Sequence, residues 1–200
     1  MKSEPFCLTM ELSELQALPG AQAGVNRLSK VRDHFADQQE VMRILQLEDP
    51  IIYEFTSIKR YDSSALLSLG ITVICPGKVG DEFFMTKGHF HDREHDGDEV
   101  YYVQSGIGRL LLQSWQGDFK ILEMKPGMIL YTPSSWAHRT VNTGNENLVF
   151  LSIWPAVTEY DYQLILDRGG FPKRIIERNH VAVAADNQKF KVLSSGKRME

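Results

Sequence analysis

The sequence is poor in cysteine, in long apolar runs and in net positive charge. Two cysteines, Cys7 and Cys75, occur in 200 residues, too few for a disulfide framework. Cys75 closes the run Ile71-Thr72-Val73-Ile74-Cys75 and reads as a small buried hydrophobe, not a nucleophile. No stretch approaches the roughly 20 apolar residues that a membrane helix needs. Met1-Lys2-Ser3-Glu4-Pro5 lacks the apolar segment of a secretory leader. A cytoplasmic protein with no membrane partner is the expectation. The formal charge of −4 argues against the basic surface of a general nucleic-acid binder, while a few local donors would still suffice for a small anionic ligand. Repeats and low-complexity segments are also missing. What is present, 42% apolar and 24% charged residues, is the balance of a globular chain able to bury a core of its own.

Along the chain, residues 1–25 are mixed, with Pro19-Gly20 marking a turn, and are read as an N-terminal extension. Residues 26–190 are read as one domain and 191–200 as a frayed tail. Asp37-Gln38-Gln39-Glu40 has the form of a capping box, and Val41, Met42, Ile44, Leu45 and Leu47 follow at helical spacing. A helix over about 37–47 is predicted, ending before Asp49-Pro50. From Pro50 to Trp154 short β-rich runs alternate with turn signals. Strands are predicted at 51–55, 71–75, 83–86, 100–103, 109–113, 119–124, 128–131 and 148–154. Breaks fall at Pro76-Gly77, Ser105-Gly106, Gln116-Gly117-Asp118, Lys125-Pro126-Gly127 and Thr143-Gly144-Asn145. Such evenly spaced strands imply a sandwich or closed barrel. A short helix over 160–167 and a strand pair, 174–177 with 180–184, complete the reading.

His89 and His91 stand two apart, so in a strand both imidazoles project to one face and could meet one ion, with Phe90 turned into apolar packing. Such pairs also arise on solvated faces. His138 is a further candidate, the bland alternative being a buried histidine bonded to backbone. Glu99 opens a strand and has His95, Asp96 and Asp98 as rivals, although Asp92–Asp98 also reads as a solvated loop.

These residues fall into a pattern that resembles the cupin superfamily. His89-Phe90-His91, then Glu99, then six residues and Gly106 match its first motif. Gly127, five residues, Pro133, His138 and Asn142 match its second. Ser135 stands where the second motif usually has glycine, and the gap from the histidine pair to Glu99 is longer than in most cupins. Glu99 alone fits the spacing to Gly106. The resemblance implies a mainly β fold: a cupin double-stranded β-helix barrel with one or two short helices outside it. It also implies a single divalent metal ion held by His89, His91, Glu99 and His138. Three imidazoles and a carboxylate suit Fe, Mn, Ni, Co or Zn.

A narrower likeness rests on Pro76-Gly77-Lys78-Val79-Gly80, Thr86-Lys87-Gly88-His89-Phe90-His91, Glu99-Val100-Tyr101 and Trp136–Asn142, with Asp49-Pro50, Asp161-Tyr162 and Gly170-Phe171. Over about Leu28–Phe190 the chain resembles the archaeal-type, cupin glucose-6-phosphate isomerases. That resemblance implies a homodimeric, metal-dependent interconversion of glucose 6-phosphate and fructose 6-phosphate, a step of glycolysis and gluconeogenesis. Glu99 would be both ligand and catalytic carboxylate. Thr72, Thr86 and Gly88 would contact the phosphate, with Tyr53 and Tyr162 as helpers; Thr72 is equally well read as an ordinary β-branched strand residue. Three positions depart from the family's pocket: Ser135 and Trp154 stand where it has tyrosines and Tyr160 where it has a histidine. The departures motivate alternatives: an isomerase of another phosphorylated sugar, or a non-catalytic sugar-phosphate-binding cupin. An iron-dependent oxygenase would use the same ligand set.

Overall fold

The computed structural model describes residues 9–11, 13, 16–17, 20–58, 67–91 and 97–191. Cys7, Pro19, the rival ligands His95 and Asp96, and the tail from 192 lie outside these. The architecture is the mainly β cupin barrel. Its larger sheet runs in the order β1 (Ala21–Arg27), β2 (Ile51–Ile58), β3 (Leu67–Ile74), β12 (Leu148–Pro155), β7 (Glu99–Ser105) and β10 (Ile129–Thr132). Facing it, β11 (Trp136–Asn142), β8 (Gly108–Ser114) and β9 (Phe119–Met124) form a three-stranded sheet. The short β4 (Lys78–Val79) and β5 (Glu82–Phe83) join the hairpin of β14 (Lys173–Arg178) and β15 (Val181–Asp186). The last pair is β6 (Phe90–His91) with β13 (Tyr160–Asp161). Among the described residues the helices with defined bounds are short and lie outside: α1 (Leu28–Val31), α2 (Gln38–Leu45) and α3 (Gln163–Asp167). None is long and apolar enough to cross a membrane.

Alternation decides which side chains enter the barrel. Along β12, Leu148, Phe150, Ser152 and Trp154 are buried while their neighbours are half-exposed. Along β7, Glu99, Tyr101 and Val103 point inward. One core contains Ile52, Ile74, Val103, Leu110, Leu112, Met124 and Phe150, with Cys75 packed at its margin as a small hydrophobe. Gly106, at φ +78, turns β7 into β8; a Cβ there would lie 2.5 Å from the Asn147 carbonyl oxygen, so the turn admits only glycine.

The elements depart from sequence expectation in ways that packing explains. Residues 83–86 are predicted as one strand, but only Glu82–Phe83 pair as β5, and Met85 makes an isolated bridge to Val141. β1 begins within the stretch read as an extension: weak strand formers are held by pairing to β2 over Ala21–Arg27. In α2, Asp37 accepts from the Glu40 backbone N–H at 2.9 Å. The reciprocal half of the box is replaced, because the Glu40 carboxylate takes two hydrogen bonds from Arg43. Val41 is buried, whereas Met42 and Leu47 face solvent. His180 belongs to the β14–β15 turn, where Asn179 and His180 have φ of 50° and 63°, the signature of a type I′ hairpin.

Asn142, the last residue of the second motif, ties the barrel together. Its side-chain amide donates to the carbonyls of Ile74 (2.9 Å) and Glu146 (2.8 Å), and its oxygen accepts from the Gly144 N–H (2.9 Å). The side chain is fully buried, so losing it strands two carbonyls and an N–H away from water. Asn142→Ala is expected to lower unfolding free energy by about 2–4 kcal/mol, measured by urea denaturation at constant m-value. A change below about 0.5 kcal/mol would contradict the bracing role.

Candidate metal centre

β6 and β11 meet through a small backbone bridge. The His89 N–H donates to the His138 carbonyl at 3.2 Å and the His138 N–H to the His89 carbonyl at 3.1 Å. The two imidazoles are therefore cross-strand neighbours, their ring centroids 4.3 Å apart. His91 follows two residues on, and Phe90 between them is buried on the opposite side, stacked on Trp115 at 4.0 Å. Glu99 enters from the start of β7. One ligand atom from each of His89, His91, Glu99 and His138 lies within 4.8 Å of the others.

Hydrogen bonding sets the imidazole tautomers. His91 Nδ1 is 2.7 Å from the Gly97 carbonyl oxygen and His138 Nδ1 is 3.3 Å from that of Trp136. Carbonyls accept only, so Nδ1 is the donor to backbone in both rings and Nε2 is the atom left to face Glu99. Those Nε2 atoms stand 3.4 and 3.3 Å from Glu99 Oε2. His89 Nε2 is buried with no hydrogen-bond partner. Lone pairs from three imidazoles, converging beside a carboxylate, are a donor set that fits a divalent transition-metal ion.

Burial works against the charged form of Glu99, but the surrounding His138, His91 and His89 overcome it and hold the carboxyl well below the usual range. Burial, then His138 and His91, push His89 far below the ordinary imidazole value despite the attraction of Glu99. The site is thus set as a carboxylate with a neutral His89 at neutral pH. Tyr101 donates to Glu99, and burial followed by that carboxylate raises its pKa well above the phenol range. Burial likewise raises Tyr53, Tyr160 and Tyr162, so all four phenols stay protonated.

The imidazole–carboxylate cluster borders a barrel cavity of about 150 Å³. Tyr53, Thr72, Thr86, Gly88 and Tyr162, the five residues singled out for substrate, all line it. Gly88 has φ +71, and a Cβ there would come within 2.8 Å of the Phe171 ring and 3.1 Å of the His138 carbonyl; packing alone requires glycine. Of the departures from the family pattern, Trp154 and Tyr160 are on the cavity wall, the Tyr160 ring 4.5 Å from that of His89. Ser135 is not a pocket residue among those lining it. It sits at φ 67 in the β10–β11 turn, a left-handed conformation that explains why glycine is usual there. Asp98 is exposed and accepts from the Ser134 N–H at 2.8 Å, serving the turn and not the cluster.

Among the lining residues that sequence reasoning missed are Tyr101, Thr140 and Lys87. The signal was there for two of them, since Tyr101 and Thr140 lie two positions beyond Glu99 and His138 on strands, hence on the same face. Lys87, flanked by Thr86 and Gly88, places its ammonium over the Tyr162 ring at 5.8 Å.

Comparison with known proteins shows the family of the chain. The family model described as glucose-6-phosphate isomerase matches residues 29–191. Among curated relatives, the glucose-6-phosphate isomerase of Pyrococcus furiosus is 41% identical over 191 residues, covering 96% of this chain and all of the relative. That of Thermococcus litoralis is 39% identical over 189 residues, 94% and 98% of the two chains. A bacterial one from Sinorhizobium medicae is 41% identical over 129 residues, 64% of this chain and 60% of the relative. Among solved structures, a Bacillus subtilis oxalate decarboxylase superposes on 60% of this chain and 30% of its own, with a TM-score of 0.46 at 23% identity.

Titration of metal-free protein with Mn(II), Ni(II) or Zn(II) is expected to show one ion per chain by calorimetry and elemental analysis. His138→Ala should weaken binding on the order of 100-fold, with the far-ultraviolet circular dichroism unchanged. Equal affinity in the variant would remove His138 from the ligand set.

Proposed function

The chain belongs to the glucose-6-phosphate isomerase family, and we propose that it interconverts glucose 6-phosphate and fructose 6-phosphate at the imidazole–carboxylate cluster, with His89, His91, Glu99 and His138 as ligands of one divalent metal. The observation that carries the reading is the meeting of this cluster with hydroxyl and amide donors in one cavity. An ionised carboxylate stands at one boundary, while Thr72, Thr86, Gly88 and Lys87 supply donors for a phosphate. The Thr86 hydroxyl already accepts from the Thr140 N–H at 3.1 Å, which leaves its proton for a ligand oxygen. The Tyr53 hydroxyl accepts from the Lys87 backbone N–H and so holds that segment in place.

The reaction moves one hydrogen between adjacent carbons of the open-chain sugar. A bound divalent ion would supply Lewis-acid polarisation of the neighbouring carbonyl and hydroxyl oxygens. Glu99, ionised at neutral pH, takes the proton from C2 of the aldose and returns it to C1 while the hydroxyl proton of O2 passes to O1, giving the ketose with no net change in protonation. Tyr101, fixed as a donor, aims the carboxylate. The protonated phenols of Tyr160 and Tyr162 and the Trp154 indole form the sugar-facing wall, where they set which hexose phosphate is preferred. A hydride shift gives the same net reaction, and turnover in D2O separates the routes: deuterium enters the sugar carbon if Glu99 carries the proton.

The larger sheet also has an apolar outer face. Val149 and Leu151 of β12, Leu69 of β3 and Met10 pack around Ile58 and Ile71 in a second cluster. Tyr102, Ile129 and Tyr131 beside it are exposed. A second copy of the chain covering this face is the homodimer that the family resemblance implies. Sedimentation is expected to give a dimer that Ile129→Glu shifts towards monomer; a monomeric wild-type chain at micromolar concentration would overturn it.

A coupled assay is expected to show isomerase activity that disappears on chelation and returns with Fe, Mn, Ni, Co or Zn. Glu99→Gln should lower kcat by about 10²–10⁴-fold, with metal content measured alongside to separate proton transfer from metal loss. No turnover with any of these ions would end the proposal.

A further inference from the structure

A second cavity, of about 340 Å³, opens against β11 on the side that His138 does not face. Arg139 lines it, one residue after His138 and hence on the other face of the strand. With it come His34 of the turn after α1, Arg174 of β14 and Lys189 beyond β15. The chain as a whole carries a formal charge of −4, yet this concavity gathers three strong bases. Asp33 is the carboxylate on its lining, and it is exposed beside Arg32 at 3.7 Å.

The partners of Arg139 are what make this cavity unusual. The residue is 2% exposed. Its Nε donates to the Lys87 carbonyl at 3.2 Å, and Nη2 reaches both that carbonyl and His34 Nδ1, the latter at 3.1 Å. All of these acceptors are uncharged. Burial, with Arg139 and Lys87 nearby, drives His34 down to about 3, so it remains neutral at any ordinary pH. Glu82, the carboxylate whose field reaches Arg139, spends Oε2 on the Ala36 N–H at 2.9 Å and on Arg174 at 3.3 Å, while its Oε1 is buried without a hydrogen-bond partner and makes no ion pair with Arg139. A buried guanidinium without a counter-charge in contact is costly unless an anion completes the site. A planar fork at depth with an exposed ammonium at the rim, where Lys189 donates to the Ala36 carbonyl at 3.2 Å, suits a tetrahedral oxyanion.

We propose that this cavity is a second binding site, for a small phosphomonoester dianion, separate from the barrel cavity and sharing β11 as a wall with it. Arg139 and Arg174 bind the phosphate and Lys189 closes on it from the rim. The volume exceeds that of the barrel cavity, leaving room for the carbon body of a small metabolite. Because Arg139 also holds the Lys87 carbonyl, an anion there competes for the guanidinium that fixes the Thr86–Gly88 segment.

Calorimetric titration of metal-loaded, full-length protein with inorganic phosphate tests this. The expected result is a phosphate site that persists in Thr72→Val, which removes a donor from the barrel cavity and none from this one. Lys189→Glu should weaken it by at least about tenfold, whereas Arg174→Lys should retain it. Both variants are expected to keep the wild-type melting temperature within a few degrees and wild-type KM. Phosphate binding that Thr72→Val abolishes, or that Lys189→Glu leaves unchanged, would overturn the proposal. The Lys189 dependence is readable whether or not the protein turns over the sugar, so failure here is distinct from failure of the isomerase reading.

Discussion

Two backbone hydrogen bonds between His89 and His138 are the constraint on which the rest of the molecule turns. They clamp the loop that carries the histidine pair onto β11, and only then do imidazoles nearly fifty positions apart in the chain become neighbours. The clamp needs a close approach of two backbones, which is why Gly88 precedes it with no room for a side chain. Phe90 anchors the same loop from behind by stacking on Trp115. Glu99 then reaches the cluster because β7 starts there with its first side chain turned inward. The four side chains are brought together by main chain and packing, so their arrangement is one that could hold an ion without rearrangement.

The electrostatics follow from that enforced proximity. A carboxylate buried among three imidazoles would be expensive if burial alone governed it. Their combined attraction reverses the balance, and the carboxyl remains ionised. The same arrangement suppresses protonation of His89. Carbonyls at Gly97 and Trp136 fix the tautomers of His91 and His138, while the surrounding phenols stay neutral and can only donate or accept hydrogen bonds. A charged carboxylate, basic nitrogens and neutral hydroxyls thus occupy one small volume without competing for protons.

Much of this was legible in the chain. β7, β9 and β12 show enough β-branched and apolar residues between turn signals to be placed within two or three positions. The motif spacing isolates His89, His91, Glu99 and His138, which the fold brings together although their strands are remote. β11 was less visible as a strand, because Trp-Ala-His-Arg-Thr-Val-Asn lacks alternation. It is buried on both faces, and its polar residues are satisfied by tertiary partners that no local window contains. β1 was hidden for the opposite reason: its residues favour nothing in particular, and pairing with β2 decides their conformation. Ser135 shows where motif reading misleads, since position in a pattern suggested the pocket and the backbone angle reveals a turn. The cationic cavity was beyond reach, as Arg139, Arg174 and Lys189 share no spacing that would announce them.

A sheet that is apolar on both sides loses the usual safeguard against misalignment. Sliding β12 by one residue would exchange Val149, Leu151 and Ile153 for Phe150, Ser152 and Trp154, sets that water distinguishes poorly. Hydrophobicity therefore cannot be what locks β7 opposite β12. The tight left-handed corner at Gly106, wedged against the Asn147 carbonyl, fixes where β7 must stop. The final glycine of the histidine motif is in this sense a ruler for the folding chain: it never meets a ligand, yet it determines which side of the wall Glu99 is on.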